Sequence, residues 1–193
     1  MNILYHHRTR ASGADGNHIW QVVEALRALG HPVDIVSPPG ISLSEKREKT
    51  SKSLFARLGK YFRLKLPPGL FEILEVLYSI VSYQRLTKAL DAKKYGLIYE
   101  RYAIFGWAGL QQSKKRGIPI ILEVSFTSKT PVYPPRRRLL GALAERMDTQ
   151  LFQDVDGIVV VTQVLKRHLV QEFGVNPDKI IVTPNAVDPN EFQ

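Results

Sequence analysis

DGIVVVTQVLKRHLVQEFGVNPDKIIVTP, residues 156–184, decides the fold. A run of β-branched residues reads as a strand ending near Thr162. A helical pattern follows over about Val164 to Phe173. Gly174 then breaks the chain, and DKIIVTP reads as a second strand. Both strands are continuous Val/Ile runs rather than alternating ones, so both are covered on two faces. Two parallel strands joined by one helix form the unit from which a doubly wound sheet is built.

The same unit recurs upstream. NILYH is a strand, followed by a helix from about Gly16 to Leu29 and the strand PVDIVS. GLIYE (96–100) leads into a helix over about Ile104 to Arg116, then the strand PIILEV and a helix over roughly Arg138 to Gln153. The prediction is one α/β domain with a parallel sheet. About 60 residues, Gly40 to Tyr95, separate the second and third strands, far more than a crossover needs. This insertion, about 41–95, holds a basic stretch, then LPPG (66–69), then an apolar helix over about Leu70 to Leu90.

Composition narrows the function. The chain has 193 residues and no cysteine, which excludes disulfides and thiolate metal sites. MNILYHHRTR lacks the apolar core of a signal peptide, and LFEILEVLYSIV is broken by Glu72 and Glu75, so a cytoplasmic location is expected. The net charge of +9 is local. Ser44 to Lys65 has eight basic and two acidic residues, Arg136 to Arg138 add three, and the remainder balances. Such localisation points to a surface patch. Within it, Leu54, Phe55, Leu58, Tyr61 and Phe62 share one side of a helical pattern, with Arg57, Lys60 and Arg63 opposite. This is the pattern of an ordinary solvated helix or of one lying on anionic lipid. No nucleic-acid recognition signature accompanies it, so no nucleic-acid partner is expected.

The first strand leads into Gly13-x-x-Gly16 and a helix start at Asn17 and His18. Ligands of doubly wound sheets bind at the carboxyl ends of the strands, and a helix start attracts anions. The spacing is not that of a dinucleotide fingerprint. The second strand ends in IVSPPG without the acidic residue a ribose needs, and no Walker A lysine follows. Other strand ends supply Glu100, Arg101, Ser125 and Thr127 as candidates to bind a hydroxyl or anion, with Glu100 and Arg101 equally readable as a salt-bridged pair and Glu123 either joining the candidates or pairing with a helix. Thr162 is placed to cap a helix. His6 and His7 point to opposite faces, so at most one meets a ligand. His31 and His168 read as structural or solvated. No carboxylate cluster has metal-ligand spacing, and no serine sits in a nucleophile elbow.

GADGNH followed by VVEALRALGHPVDIV, then LIYERYAIFGWAGLQQSKKRGIPIILEV, then DGIVVVTQVLKRHLVQEFGVNPDKIIVTPNAVDPNEF, resemble in order the family 4 glycosyltransferases of the GT-B fold. Ala186 stands where the last motif usually has glycine, and Ser125 where many members have histidine. The resemblance covers nearly the whole chain, the insertion loosely. It implies that residues 1–193 are the N-terminal, acceptor-side Rossmann-like domain of a retaining enzyme. A C-terminal domain would hold the nucleotide-sugar donor and the Glu-x7-Glu motif. It implies a nucleotide sugar and an acceptor as substrates, Gly13, Gly16, Asn17 and His18 at the cleft, no metal or other cofactor, and no activity of this half alone. It assigns no catalytic residue. The alternative from charge is a non-catalytic module that binds membrane or polyanion through residues 44–66.

Overall fold

The computed structural model describes residues 1–9, 13–39, 41, 68–130 and 139–184. The basic residues Arg57, Lys60, Arg63 and Arg136 to Arg138, and the end of the last family motif from Asn185, lie outside them.

The elements are β1 (Ile3–His6), α1 (Ala14–Ala28), β2 (Val33–Val36), α2 (Pro68–Ala92), β3 (Leu97–Arg101), α3 (Ala108–Arg116), β4 (Ile120–Val124), α4 (Gly141–Asp154), β5 (Gly157–Val160), α5 (Gln163–Phe173) and β6 (Ile180–Val182). All strand pairings are parallel, in the order β2-β1-β3-β4-β5-β6. The expected doubly wound sheet is present.

Handedness distributes the helices. The step from β1 to β2 runs in one direction along the sheet, and every later step runs in the other. Right-handed crossovers therefore place α1 on one face and the remaining helices on the opposite face. The two cores match this. Ile3, Tyr5, Leu97 and Tyr99 pack with Ile19 and Val23 of α1. Leu4 and Ile98, the intervening positions, pack with Leu86 of α2, Leu110 of α3, Phe152 of α4 and Leu169 of α5. Full burial of Leu86 alone contributes roughly 2 kcal/mol.

Two helix starts differ from the sequence reading by three residues or more. The helix expected from Ile104 begins at Ala108, because Tyr102 to Trp107 form a turn in which Phe105 adopts φ 59°. The helix expected from Arg138 begins at Gly141. Helix α2 is the longest element, and it starts at Pro68, where proline's missing N–H costs no helical bond.

Candidate functional site

The strand order reverses between β1 and β3, and in doubly wound sheets such a reversal is where the ligand crevice lies, at the carboxyl ends of the strands. His6 and Glu100 are register partners at that point. His6 Nδ1 lies 2.9 Å from Glu100 Oε1, and both side chains are 2% exposed. The second carboxylate oxygen, Oε2, is buried and has no hydrogen-bond partner among the described residues. Gly109, in the first turn of α3, makes room for it; a Cβ there would overlap the Glu100 carboxylate.

Arg101 follows Glu100 in the strand and therefore points to the other face, towards α1. The two do not form the salt-bridged pair that their adjacency suggests. Arg101 instead donates to Glu123 Oε1 at 2.5 Å and to Asp15 Oδ1 at 3.1 Å. Glu123 is the hub of this side. Its Oε1 also accepts from His18 Nε2 at 2.8 Å, and its Oε2 accepts from the Tyr5 hydroxyl at 3.3 Å. Burial first, then the nearby Glu123 charge, pushes the Tyr5 and Tyr99 phenols well above their ordinary range. Both keep their protons, and Tyr5 acts as a donor. Glu123 accepts at His18 Nε2, so a neutral His18 ring carries its lone pair on Nδ1. His18 is 29% exposed, whereas Glu123 is nearly sealed.

Gly13 caps α1 with φ 63° and ψ −140°, a backbone region that is essentially restricted to glycine. No atom lies within 4 Å of a Cβ built there, so the requirement is conformational and not steric. The second glycine behaves differently from expectation. Gly16 lies inside the first turn of α1, without positive φ. The first helical bond runs from Asn17 N to Gly13 O at 3.1 Å, so the amides before Asn17 have no helical acceptor. Asn17 is exposed beside them. The acidic residue of this first turn, Asp15, has a side chain 59% exposed. It already sits where the helix dipole would favour an anion.

The β4 end divides the remaining candidates. Ser125 is exposed just beyond the strand. Thr127 is buried, and its hydroxyl is engaged by His168 Nε2 at 3.0 Å and Thr130 Oγ1 at 3.2 Å. These bonds lock the turn. Asp148 of α4 holds the same turn, accepting from Ser128 N and from the Tyr102 hydroxyl. Sequence reasoning missed Asp148 because its partners are 20 and 46 residues away. Thr162 caps α5, accepting from Leu165 N at 3.1 Å.

His7 is excluded from proton chemistry at the crevice. Its Nδ1 faces the Thr9 carbonyl at 3.1 Å and must donate, so Nε2 accepts from the Ser37 hydroxyl at 2.8 Å. Burial, reinforced by His6, pushes its pKa down to about 4. Arg8, which the sequence did not single out, ties β1 to α2 through the Glu75 carbonyl at 2.7 Å and the Ser79 hydroxyl at 3.0 Å. Among the described residues no group of three or more His, Asp or Glu is arranged to hold a metal ion.

Similar folds serve different chemistries. The sucrose-phosphate synthase of Thermosynechococcus elongatus superposes with a TM-score of 0.64 at 14% identity, over 97% of this chain and 49% of that one. The UDP-GlcNAc 2-epimerase of Neisseria meningitidis gives 0.58 at 17% identity, over 96% and 47%. At such identities the likeness establishes the fold alone. The sequence adds more. A D-inositol 3-phosphate glycosyltransferase of Segniliparus rotundus is 27% identical over 111 residues, which are 53% of this chain and 23% of that protein. The chain thus spans about a quarter of this relative and about half of each solved structure. Residues 16–191 match the sequence pattern of Glycosyltransferase Family 4. With the pattern spanning most of α1, Glu123 itself and the whole sheet beyond β1, the chain belongs to Glycosyltransferase Family 4.

Proposed function

We propose that residues 1–193 form the acceptor-side half of a two-domain retaining glycosyltransferase, which moves a sugar from a nucleotide-sugar donor to a hydroxyl-bearing acceptor. A second Rossmann-like domain supplies most of the donor site. The half-length coverage of the solved relatives supports this division. Gly13 to His18, Arg101 and Ser125 border the acceptor, and Glu123 holds His18 and Arg101 in place.

The observation that carries the reading is the Glu123 hub beside the Gly13 turn. Its cation, Arg101, is already committed to Glu123 and Asp15. The exposed Asp15 carboxylate accepts hydrogen bonds, as does Nδ1 of a neutral His18 ring. Such a shelf suits sugar or polyol hydroxyls, which donate, better than a phosphate, which only accepts when fully ionised. The Gly13 turn therefore serves the acceptor, and the donor diphosphate is held mainly by the other half.

Calorimetric titration tests this. Residues 1–193 alone, titrated with UDP-glucose and GDP-mannose, should bind weakly and transfer nothing. In a two-domain protein carrying this half, His18→Ala should raise the KM for acceptor while leaving that for donor nearly unchanged. Tight donor binding by residues 1–193, or a change confined to donor KM, would overturn the assignment.

A further inference from the structure

We propose that the N-terminal half of α2 is a docking element for anionic lipid bilayers, its aliphatic face entering the headgroup region. This goes beyond the proposed reaction and does not rest on it.

Helix α2 has 25 residues, about 37 Å of helix, whereas β3 has five, roughly 17 Å of strand. Among the described side chains, those of its second half reach the core, through Leu86 and Leu90. The first half is held by polar contacts at its inner side. Glu72 Oε2 accepts from Leu140 N at 2.7 Å, and Arg8 reaches the Glu75 carbonyl and the Ser79 hydroxyl.

The outer face changes character along its length. Leu70, Ile73, Leu74, Leu77, Ile80 and Val81 recur at helical spacing and are 36–49% exposed. The same face continues in Gln84, Arg85, Lys88 and Asp91, all exposed. A face that meets water along its whole length has no reason to switch from polar to aliphatic. Something apolar borders the first half.

Charge identifies it. In the sequence, one of the two basic stretches that account for the net +9 ends just before this helix and the other just before Leu139. Lys65 lies three residues before Pro68. Arg138 directly precedes Leu139, whose neighbour Leu140 is bonded to Glu72. A nucleic acid has no use for six aliphatic side chains, and an apolar protein groove has none for concentrated positive charge. An anionic bilayer surface uses both. Among the described residues no helix is long and apolar enough to cross a membrane, so the contact is interfacial.

The absence of cysteine allows a single environment-sensitive fluorophore to be placed at Leu77→Cys or, as reference, at Lys88→Cys. The probe is phosphatidylcholine vesicles with about one-third phosphatidylglycerol, at low salt. The label at position 77 should brighten and shift to the blue, and that at 88 should change little. In sedimentation, Ile73→Glu with Leu77→Glu should lower partitioning at least about tenfold. Added salt should weaken the parent's binding. Equal responses at 77 and 88, undiminished binding by the double variant, or no binding by the parent would each overturn the proposal. So would a lipid-free dimer, seen by analytical ultracentrifugation, that the double variant abolishes; a second copy would then cover the face. If the double variant fails to fold, the two labels still decide.

Discussion

Replacing Glu123 with alanine tests the hub directly. Three donors converge on this carboxylate: Arg101, His18 and Tyr5. Removing one partner of a buried ion pair costs about 3–5 kcal/mol, because the other charge is left uncompensated. Here Glu123 is 3% exposed and Arg101 11%, but Arg101 keeps Asp15, which is largely in water. That second partner relieves part of the loss, so the lower end applies, about 3 kcal/mol. For a chain of this size the corresponding fall in Tm is about 6–12 °C. Urea and thermal denaturation followed by circular dichroism measure both. A double-mutant cycle with Arg101→Ala isolates the pair and should give a coupling of at least about 1.5 kcal/mol. A loss below about 1 kcal/mol, with additive single changes, would show that the network is not cooperative and that Glu123 positions nothing.

Two further changes probe the neighbouring groups. His7 has a folded pKa of about 4 against an ordinary 6.5, so below pH 6.5 the unfolded chain takes the proton first. Stability is thus complete above pH 6.5 and falls as pH drops towards 4, by about 3 kcal/mol from this group. Urea midpoints at pH 7.5 and 4.5 should converge when His7 is replaced by Gln, and an unchanged pH slope would acquit His7. Gly109→Ala should cost about 2–4 kcal/mol by displacing Glu100 from His6. A parent-like melting curve would mean that α3 yields without disturbing the pair.

The fold was legible because β5, α5 and β6 carry a local code: β-branched runs, one helical repeat and Gly174 between them. The site was only half legible. His18 and Arg101 stood out by position, at a helix start and a strand end. That they share Glu123 did not, since the contacts span 105 and 22 residues. Strand alternation separates Glu100 from Arg101, although adjacency invites reading them as a unit. Thr127 looked available at a strand end, yet His168 of α5 claims its hydroxyl from 41 residues away. Long-range pairing of polar groups leaves no periodic trace, whereas apolar burial does.

The pairing of β1 with β3 bears on how readily this fold can diversify. Ile3 opposes Leu97, so everything between them is a closed loop, and 60 residues separate Val36 from Leu97 within it. Closure entropy grows only logarithmically with length, by about 0.6 kcal/mol per doubling. Extending a crossover from roughly 15 residues to 60 therefore costs about 1.2 kcal/mol, against a typical domain stability of about 5–15 kcal/mol. Added segments here leave the register of every strand untouched. Selection can rewrite the length and chemistry of this segment at little thermodynamic cost, while the central strands preserve the geometry of the crevice.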